Sequence, residues 1–295
     1  MTPTIPSKIG LIAGWGRYPV YLAEALKQQG IGVYCLGVVD HADPALQSIC
    51  DVWLPIRLGR LQTAFRFFRQ HGLTYGTLAG KINKKLLLDP FLLWKQLPDW
   101  YTFRTFAPML LTRWKDCKND TLLEAVVTAF AQNGFQLLPG TDLIPDLLVK
   151  HQKLTHRKPT VAEWKDIVCG WKHAKEIASV DIGQTVCAGG QTALALENIE
   201  GTDACIRRAG LLDSGKGFVV VKVAKPEQDM RFDVPTFGLL TLKTMHESGA
   251  RALAVEADKT IILDRQEVID FANRYDISIV AIHAEDCALA VSPFE

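Results

Sequence analysis

Lys8 to Asp40 reads KIGLIAGWGRYPVYLAEALKQQGIGVYCLGVVD, and this stretch decides the fold. Its first six residues, KIGLIA, are a short apolar run bounded by turn residues, which predicts a buried strand. Gly14-Trp-Gly-Arg-Tyr follows, and Pro19 then opens an expected helix over residues 19–29. Proline suits the first helical turn, and Gly30 suits the stop. A second strand is expected over residues 31–39. Strand, glycine turn, helix and strand make a βαβ unit whose helix start gathers backbone N–H groups, a ready phosphate site. Gly14 and Gly16 stand where a dinucleotide fingerprint has its first two glycines, and Asp40 stands at the ribose-binding distance. Pro19 holds the place of the third. The turn is therefore open between nucleotide binding, with an NAD(P)-dependent oxidoreductase as one outcome, and a plain tight turn.

The rhythm continues outward. Strands are expected over residues 51–54 and 74–79, with an amphipathic helix over residues 61–71 between them. Alternating β and α predicts an α/β fold: a parallel sheet with helices on both faces and ligands at the strand C-terminal ends. The loop opened by Gly80 and Lys81 ends there too, and its lysines suit either a phosphate or solvent. Residues 86–114 break the rhythm. Trp94, Trp100 and Trp114 are interleaved there with basic residues, and prolines cut the stretch into short helices. This composition suits either an interfacial or acyl-chain-binding segment or a helical insertion packed on the core. Asp120 is expected to cap a helix over residues 121–133.

Residues 1–149 are read as the N-terminal domain. Residues 150–160, polar and without periodicity, are read as a linker, and 161–295 as a smaller C-terminal α/β domain. In the latter, Thr160 and Glu163 form a capping-box pattern before a helix, and Gly189-Gly190 signals a hairpin. Strands and helices are expected to alternate from residue 218 to residue 282.

Composition narrows the function. A net charge of +1 argues against nucleic-acid binding by bulk electrostatics. Seven cysteines, an odd number with no CxxC, indicate neither a disulfide framework nor a zinc knuckle. No apolar run approaches the roughly 20 residues that span a bilayer, and the start lacks signal-peptide features. The expectation is a cytoplasmic protein. The GxSxG serine elbow, the Walker loop and HExxH are all missing.

What remains is carboxylates among cations. KVAKPEQDMRFDVPTFG, Lys222 to Gly238, follows an apolar strand and sets Asp229 and Asp233 among Lys222, Lys225 and Arg231. Glu197, Glu200 and Asp203 lie on a second strand-to-helix junction, followed by Arg207 and Arg208. Acids of this kind suit Mg²⁺ or Mn²⁺, with Asp203, Asp229 and Asp233 as candidate ligands. The cations suit a phosphate or pyrophosphate. Metal-assisted attack of water on a phosphoanhydride would use such a set, and so would two salt-bridged surface loops.

At these residues the chain resembles the UDP-2,3-diacylglucosamine pyrophosphatases of the LpxI type, from lipid A biosynthesis. The resemblance is carried by GLIAGWGRYP at Gly10, the Ala79-Gly-Lys81 turn, DIGQTV at Asp181 and LENIEGTDACIRRAG at Leu196. It is densest in VKVAKPEQDMRFDVPTFG at Val221 and ends with AVEADKTIILDR at Ala254. It implies a Rossmann-like N-terminal domain, a C-terminal α/β catalytic domain and an active site between them. It implies Mg²⁺-dependent hydrolysis of UDP-2,3-diacylglucosamine to 2,3-diacylglucosamine 1-phosphate (lipid X) and UMP. The key acid of its RxDxP segment corresponds to Asp233, and its EGTD acids to Glu200 and Asp203. Gln184, Thr202 and Gln228 lie in the shared motifs and join Gly14, Gly16, Lys81, Arg207, Lys222, Lys225 and Arg231 as expected substrate contacts; Asp229 is the second acid of the loop. An acidic turn of the relatives is Lys118-Asn-Asp120 here, so only Asp120 carries over. A membrane-borne substrate implies peripheral docking at the inner membrane, through the Trp94 to Trp114 region. Assembly into a homo-oligomer stays open, as does a non-catalytic role in binding a sugar nucleotide.

Overall fold

The computed structural model describes residues 6–80, 99–105, 119–226, 228–231, 234–289 and 292–294, with side chains from Leu123 onward in the helix that begins at Asn119. Lys81, Trp94, Trp114 and Asp233, singled out above, lie outside the described residues. The chain divides into two units. The first takes residues up to Pro145 together with the short stretch that begins at Asp229, and the second takes the rest.

The first unit is built on five parallel strands: β1 (Lys8–Ala13), β2 (Gly32–Val38), β3 (Val52–Ile56), β4 (Tyr75–Ala79) and β5 (Gln136–Leu137). Their order is β3-β2-β1-β4-β5, so the direction of winding reverses between β1 and β4. Helices α1 (Tyr18–Gln28), α2 (Leu46–Ile49), α3 (Leu61–Gln70) and α4 (Asn119–Gln132) connect them. Helix α3 buries Leu61, Ala64, Phe65, Phe67 and Phe68, the stripe expected of a helix with one face on a sheet. Phe68 lies directly over Gly10 and Gly76, where a Cβ would come within 2.2 and 2.8 Å of its Cζ. Those two strand glycines make room for the ring. Residues 100–105 are helical, and Tyr101 meets Phe65 edge-on at 5.1 Å. Helix α4 starts at Asn119, two residues before the expected start.

At the reversal point Gly14 N donates to Ala79 O at 2.8 Å. A Cβ on Gly80 would lie 2.8 Å from both Gly14 C and Pro19 Cγ, and Gly80 has φ of 91°. The close approach that a third fingerprint glycine would supply on the helix is supplied here by Gly80, with Pro19 packed against it.

The second unit carries a six-stranded mixed sheet, ordered β6-β13-β11-β9-β7-β8. Its strands are β6 (Gln152–Lys153), β7 (Thr185–Gly189), β8 (Thr192–Leu196), β9 (Phe218–Lys222), β11 (Ala250–Glu256) and β13 (Ser278–Ile282). Strands β9, β11 and β13 are parallel; β6 and β7 run against them. A two-stranded parallel pair, β10 (Thr236–Phe237) and β12 (Ile261–Ile262), adjoins it in sequence. Alternate residues face alternate cores. Val219, Val221, Ala254 and Val280 pack with Trp164, Ile167 and Trp171 of the helix Val161–Ser179, whose place after the short α5 (Gly140–Leu143) makes it α6. Val220, Leu253, Val255 and Ile279 pack with Ile206, Leu242 and Val268, from α7 (Thr202–Leu212), α8 (Leu239–Ser248) and α9 (Arg265–Arg274). Burial on both faces explains the unbroken apolar run of β9.

Local signals behave as their chemistry requires. Thr160 Oγ1 accepts from Glu163 N (3.2 Å) while Glu163 Oε2 accepts from Thr160 N (2.8 Å), a complete capping box. The β7–β8 turn is Gly190-Gln191, one residue later than expected, and both take positive φ (59° and 58°). Residues 150–160, expected as a linker, carry β6, whose Gln152 and Lys153 pair with β13. A two-residue polar edge strand has no alternation to read, and lysine on such an edge is a usual guard against further pairing. No helix among the described residues is long and apolar enough to cross a membrane.

Candidate active site

In the second unit, chemistry gathers where β9 and β11 end. Lys222 closes β9 and is buried, at 5% exposure. Glu197 follows β8 and is buried, at 8%. Thr202, first residue of α7, joins them. Lys222 Nζ donates to Thr202 Oγ1 at 2.9 Å, and Thr202 Oγ1 donates to Glu197 Oε1 at 2.8 Å. Gln184 N donates to the other oxygen, Oε2, at 3.3 Å. Burial would raise the Glu197 pKa, but the charge of Lys222 and hydrogen bonds from Thr185, Thr202 and Gln184 outweigh it and hold the carboxyl below its ordinary value. The result is a buried, ionised carboxylate in a hydrogen-bonded network with a buried ammonium.

A second cluster fixes the start of the following loop. Glu256, last residue of β11 and also buried, accepts from Ala224 N at 2.8 Å and from Lys175 Nζ at 2.6 Å, with Lys259 Nζ 3.0 Å away. Its carboxyl is likewise held low, because these partners overcome the burial that would raise it. One carboxylate thus anchors the backbone as it leaves β9. Beyond it, Lys225 N donates to Gln228 Oε1 at 2.8 Å, and Lys225 Nζ pairs with Asp181 at 2.6 Å. Gln184 Oε1 and Gln228 Nε2 are buried with no hydrogen-bond partner among the described residues.

The other expected residues are placed as follows. Glu200 pairs with Arg208 at 2.6 Å, and that guanidinium lowers its pKa. Both line an open cleft of about 680 Å³, together with Ile182, Leu196, Ala204 and Glu197. Asp203 Oδ1 accepts from Thr241 Oγ1 at 3.1 Å. Arg207 is exposed. Asp229 is gripped by Arg231, whose Nε lies 2.9 Å from both carboxylate oxygens and whose Nη2 adds a further bond; its pKa is lowered chiefly by those bonds. Gly14 and Gly16 lie in the first unit, after β1.

The structure therefore brings Gln184, Thr202 and Lys222 together and groups Lys225 with Gln228. It gives prominence to residues that motif spacing does not single out: Glu197, Thr185, Lys175 and Glu256. Glu197 had one usable signal, an acid placed directly after a strand and beside EGTD. Lys175 and Glu256 are 81 positions apart and had none.

Residues 8–147 match the LpxI N-terminal domain, and residues 150–280 match the LpxI C-terminal domain. The chain belongs to the LpxI family. It is similar to the UDP-2,3-diacylglucosamine pyrophosphatase LpxI of Caulobacter vibrioides, with 28% identity over 288 residues, 95% of this chain and 99% of that relative. The two LpxI domains meet between residues 147 and 150, beside the division after Pro145. The Glu197–Thr202–Lys222 network lies wholly within the matched C-terminal domain.

Proposed function

We propose that this LpxI-family enzyme hydrolyses the pyrophosphate bond of UDP-2,3-diacylglucosamine to 2,3-diacylglucosamine 1-phosphate and UMP, in lipid A biosynthesis. The match to both LpxI domains along the chain, with a relative named for this substrate, carries the reading. The chemistry of the second unit supports it. Buried Lys222 and the cleft residue Arg208 offer positive charge to phosphate oxygens, and the amides of Gln184 and Gln228 retain hydrogen-bonding capacity. Glu197 stays ionised and holds Thr202 and Lys222 in place. Asp233 is the acid proposed to act on the reacting phosphate.

Mg²⁺, with Mn²⁺ as substitute, belongs to the proposal on the chemistry of its oxygen donors, Asp203, Asp229 and Asp233. Among the described residues, Asp203 and Asp229 gather no three-ligand group, and each already has a partner in Thr241 or Arg231. When bound, the ion would neutralise charge on phosphate oxygens. A diacylated substrate resides in a membrane, so the enzyme is proposed to act from the cytoplasm, docked peripherally on the inner membrane. Trp100, 75% exposed and stacked on half-exposed Phe103, is the described part of the aromatic segment proposed to dock.

The test incubates the full chain with UDP-2,3-diacylglucosamine and Mg²⁺ and separates the nucleotides. UMP accumulating in proportion to enzyme is expected. Tight binding without UMP would replace the reading with a non-catalytic sugar-nucleotide regulator.

A further inference from the structure

We propose that His151, His283 and Asp286 form a binding site for Zn²⁺, separate from the candidate active site and independent of the hydrolase reading. His151 directly precedes edge strand β6, His283 directly follows β13, and Asp286 lies in the turn after it. One ligand atom from each lies within 4.8 Å of the others, the one such grouping among the described residues. With zinc bonds of about 2.0–2.1 Å, tetrahedral ligands stand about 3.4 Å apart. His151 Nε2 and Asp286 Oδ2, now 2.9 Å apart in a hydrogen bond, would open slightly, and His283 would close by at most about 1.4 Å.

The surroundings are those of a metal-binding histidine pair. His283 Nε2 lies 3.0 Å from Asp258 Oδ2, and Lys150 Nζ lies 3.0 Å from Oδ1 of that carboxylate. A carboxylate on Nε2 fixes the tautomer and puts the lone pair on Nδ1, which here accepts from the backbone N–H of Asp286 and would exchange that bond for the ion. Asp286 Oδ2 also accepts from His283 N at 2.8 Å, which fixes its position. The His151 ring stacks on His283 (5.2 Å, 9°) and packs near Phe294 (5.0 Å). Both imidazoles are over a third exposed, which gives an ion a path in and leaves a fourth position for water. Two nitrogens and one oxygen are the wrong donors for Mg²⁺ or Ca²⁺, and without sulfur the set suits zinc better than Cu(I). A bound ion would join the start of β6 to the turn after β13 and, through Asp258, to the turn after β11.

The experiment uses the full chain stripped of metal by chelator and then kept in excess Mg²⁺. Zn²⁺ is titrated by calorimetry, Co²⁺ is followed by visible absorption, and Tm is recorded with and without Zn²⁺. The proposal expects one equivalent bound, a rise in Tm, and cobalt bands without thiolate charge transfer. Asp286→Asn and the double variant H151Q/H283Q should lose binding and the Tm rise while keeping the metal-free Tm near the parent. Asp258→Asn should weaken binding about 10- to 100-fold. Absence of binding by the parent, retention of binding by either ligand variant, or a thiolate band that marks cysteines as the ligands would overturn it.

Discussion

Replacing Lys222 by Met should test the candidate site's electrostatics most sharply. The side chains are similar in length, so packing changes little, but Glu197 loses its buried counter-charge. Glu197 is 8% exposed and keeps an ionised carboxyl only because Lys222 and three hydrogen-bond donors outweigh the cost of burial. Removing one member of such a pair costs about 3–5 kcal/mol, most of it the stranded charge left behind. In a chain of this size each kcal/mol shifts Tm by about 2–4 °C, so the unfolding of the second unit should fall by about 6–20 °C. Guanidinium denaturation of parent, K222M, E197Q and the double variant measures this directly. The double variant should recover much of the loss, because neither charge is then stranded. K222M as stable as the parent to within about 0.5 kcal/mol would refute the reasoning, since a substitution without a specific buried role costs no more than that.

Further outcomes follow from the same geometry. Glu197 has a folded pKa below its ordinary 4.5, so its contribution is full above that pH and is lost as pH falls through the folded value. E197Q should therefore show a flatter acid limb in a plot of stability against pH, and an unchanged limb would contradict the network. Gly80→Ala should lower stability by about 1–3 kcal/mol, because the new Cβ meets Gly14 C and Pro19 Cγ at 2.8 Å and φ is 91°; a neutral result in thermal melts would contradict this packing. Thr160→Ala, which removes half of the capping box, should cost about 0.5–2 kcal/mol by denaturant titration. Trp100→Ala should reduce co-flotation with anionic vesicles without lowering Tm, and unchanged flotation would remove Trp100 from the proposed docking surface.

The fold was readable wherever one face or one backbone position had to obey a local rule. KIGLIAGWGRYP announces its strand, turn and helix; the capping box at Thr160 and the stop at Gly30 follow from residue type alone. The hairpin turn lies one residue later than the sequence suggests, because Gly189, Gly190 and Gln191 all suit a turn and only the positive φ at 190 and 191 identifies its centre. Residues 150–160 read as a linker because the short polar edge strand β6 within them borrows its order from β13 and has no pattern of its own. Asp229 and Arg231 are two positions apart, and their pairing is legible as alternating charge. Glu197 meets Lys222 because β8, β7 and β9 are neighbours in the sheet, and Lys175 meets Glu256 because α6 packs across β9 and β11. Sheet order is a long-range property that motif spacing does not encode.

The central proposal is that Asp233 acts on the reacting phosphate of an LpxI-type pyrophosphatase. The direct measurement is UMP release from UDP-2,3-diacylglucosamine in Mg²⁺ by the parent and by Asp233→Ala at matched concentration, both checked for an intact thermal transition. Steady UMP release is expected from the parent, and none above background from the variant. No release by the parent would contradict the reaction, and equal release by the folded variant would contradict the role of Asp233.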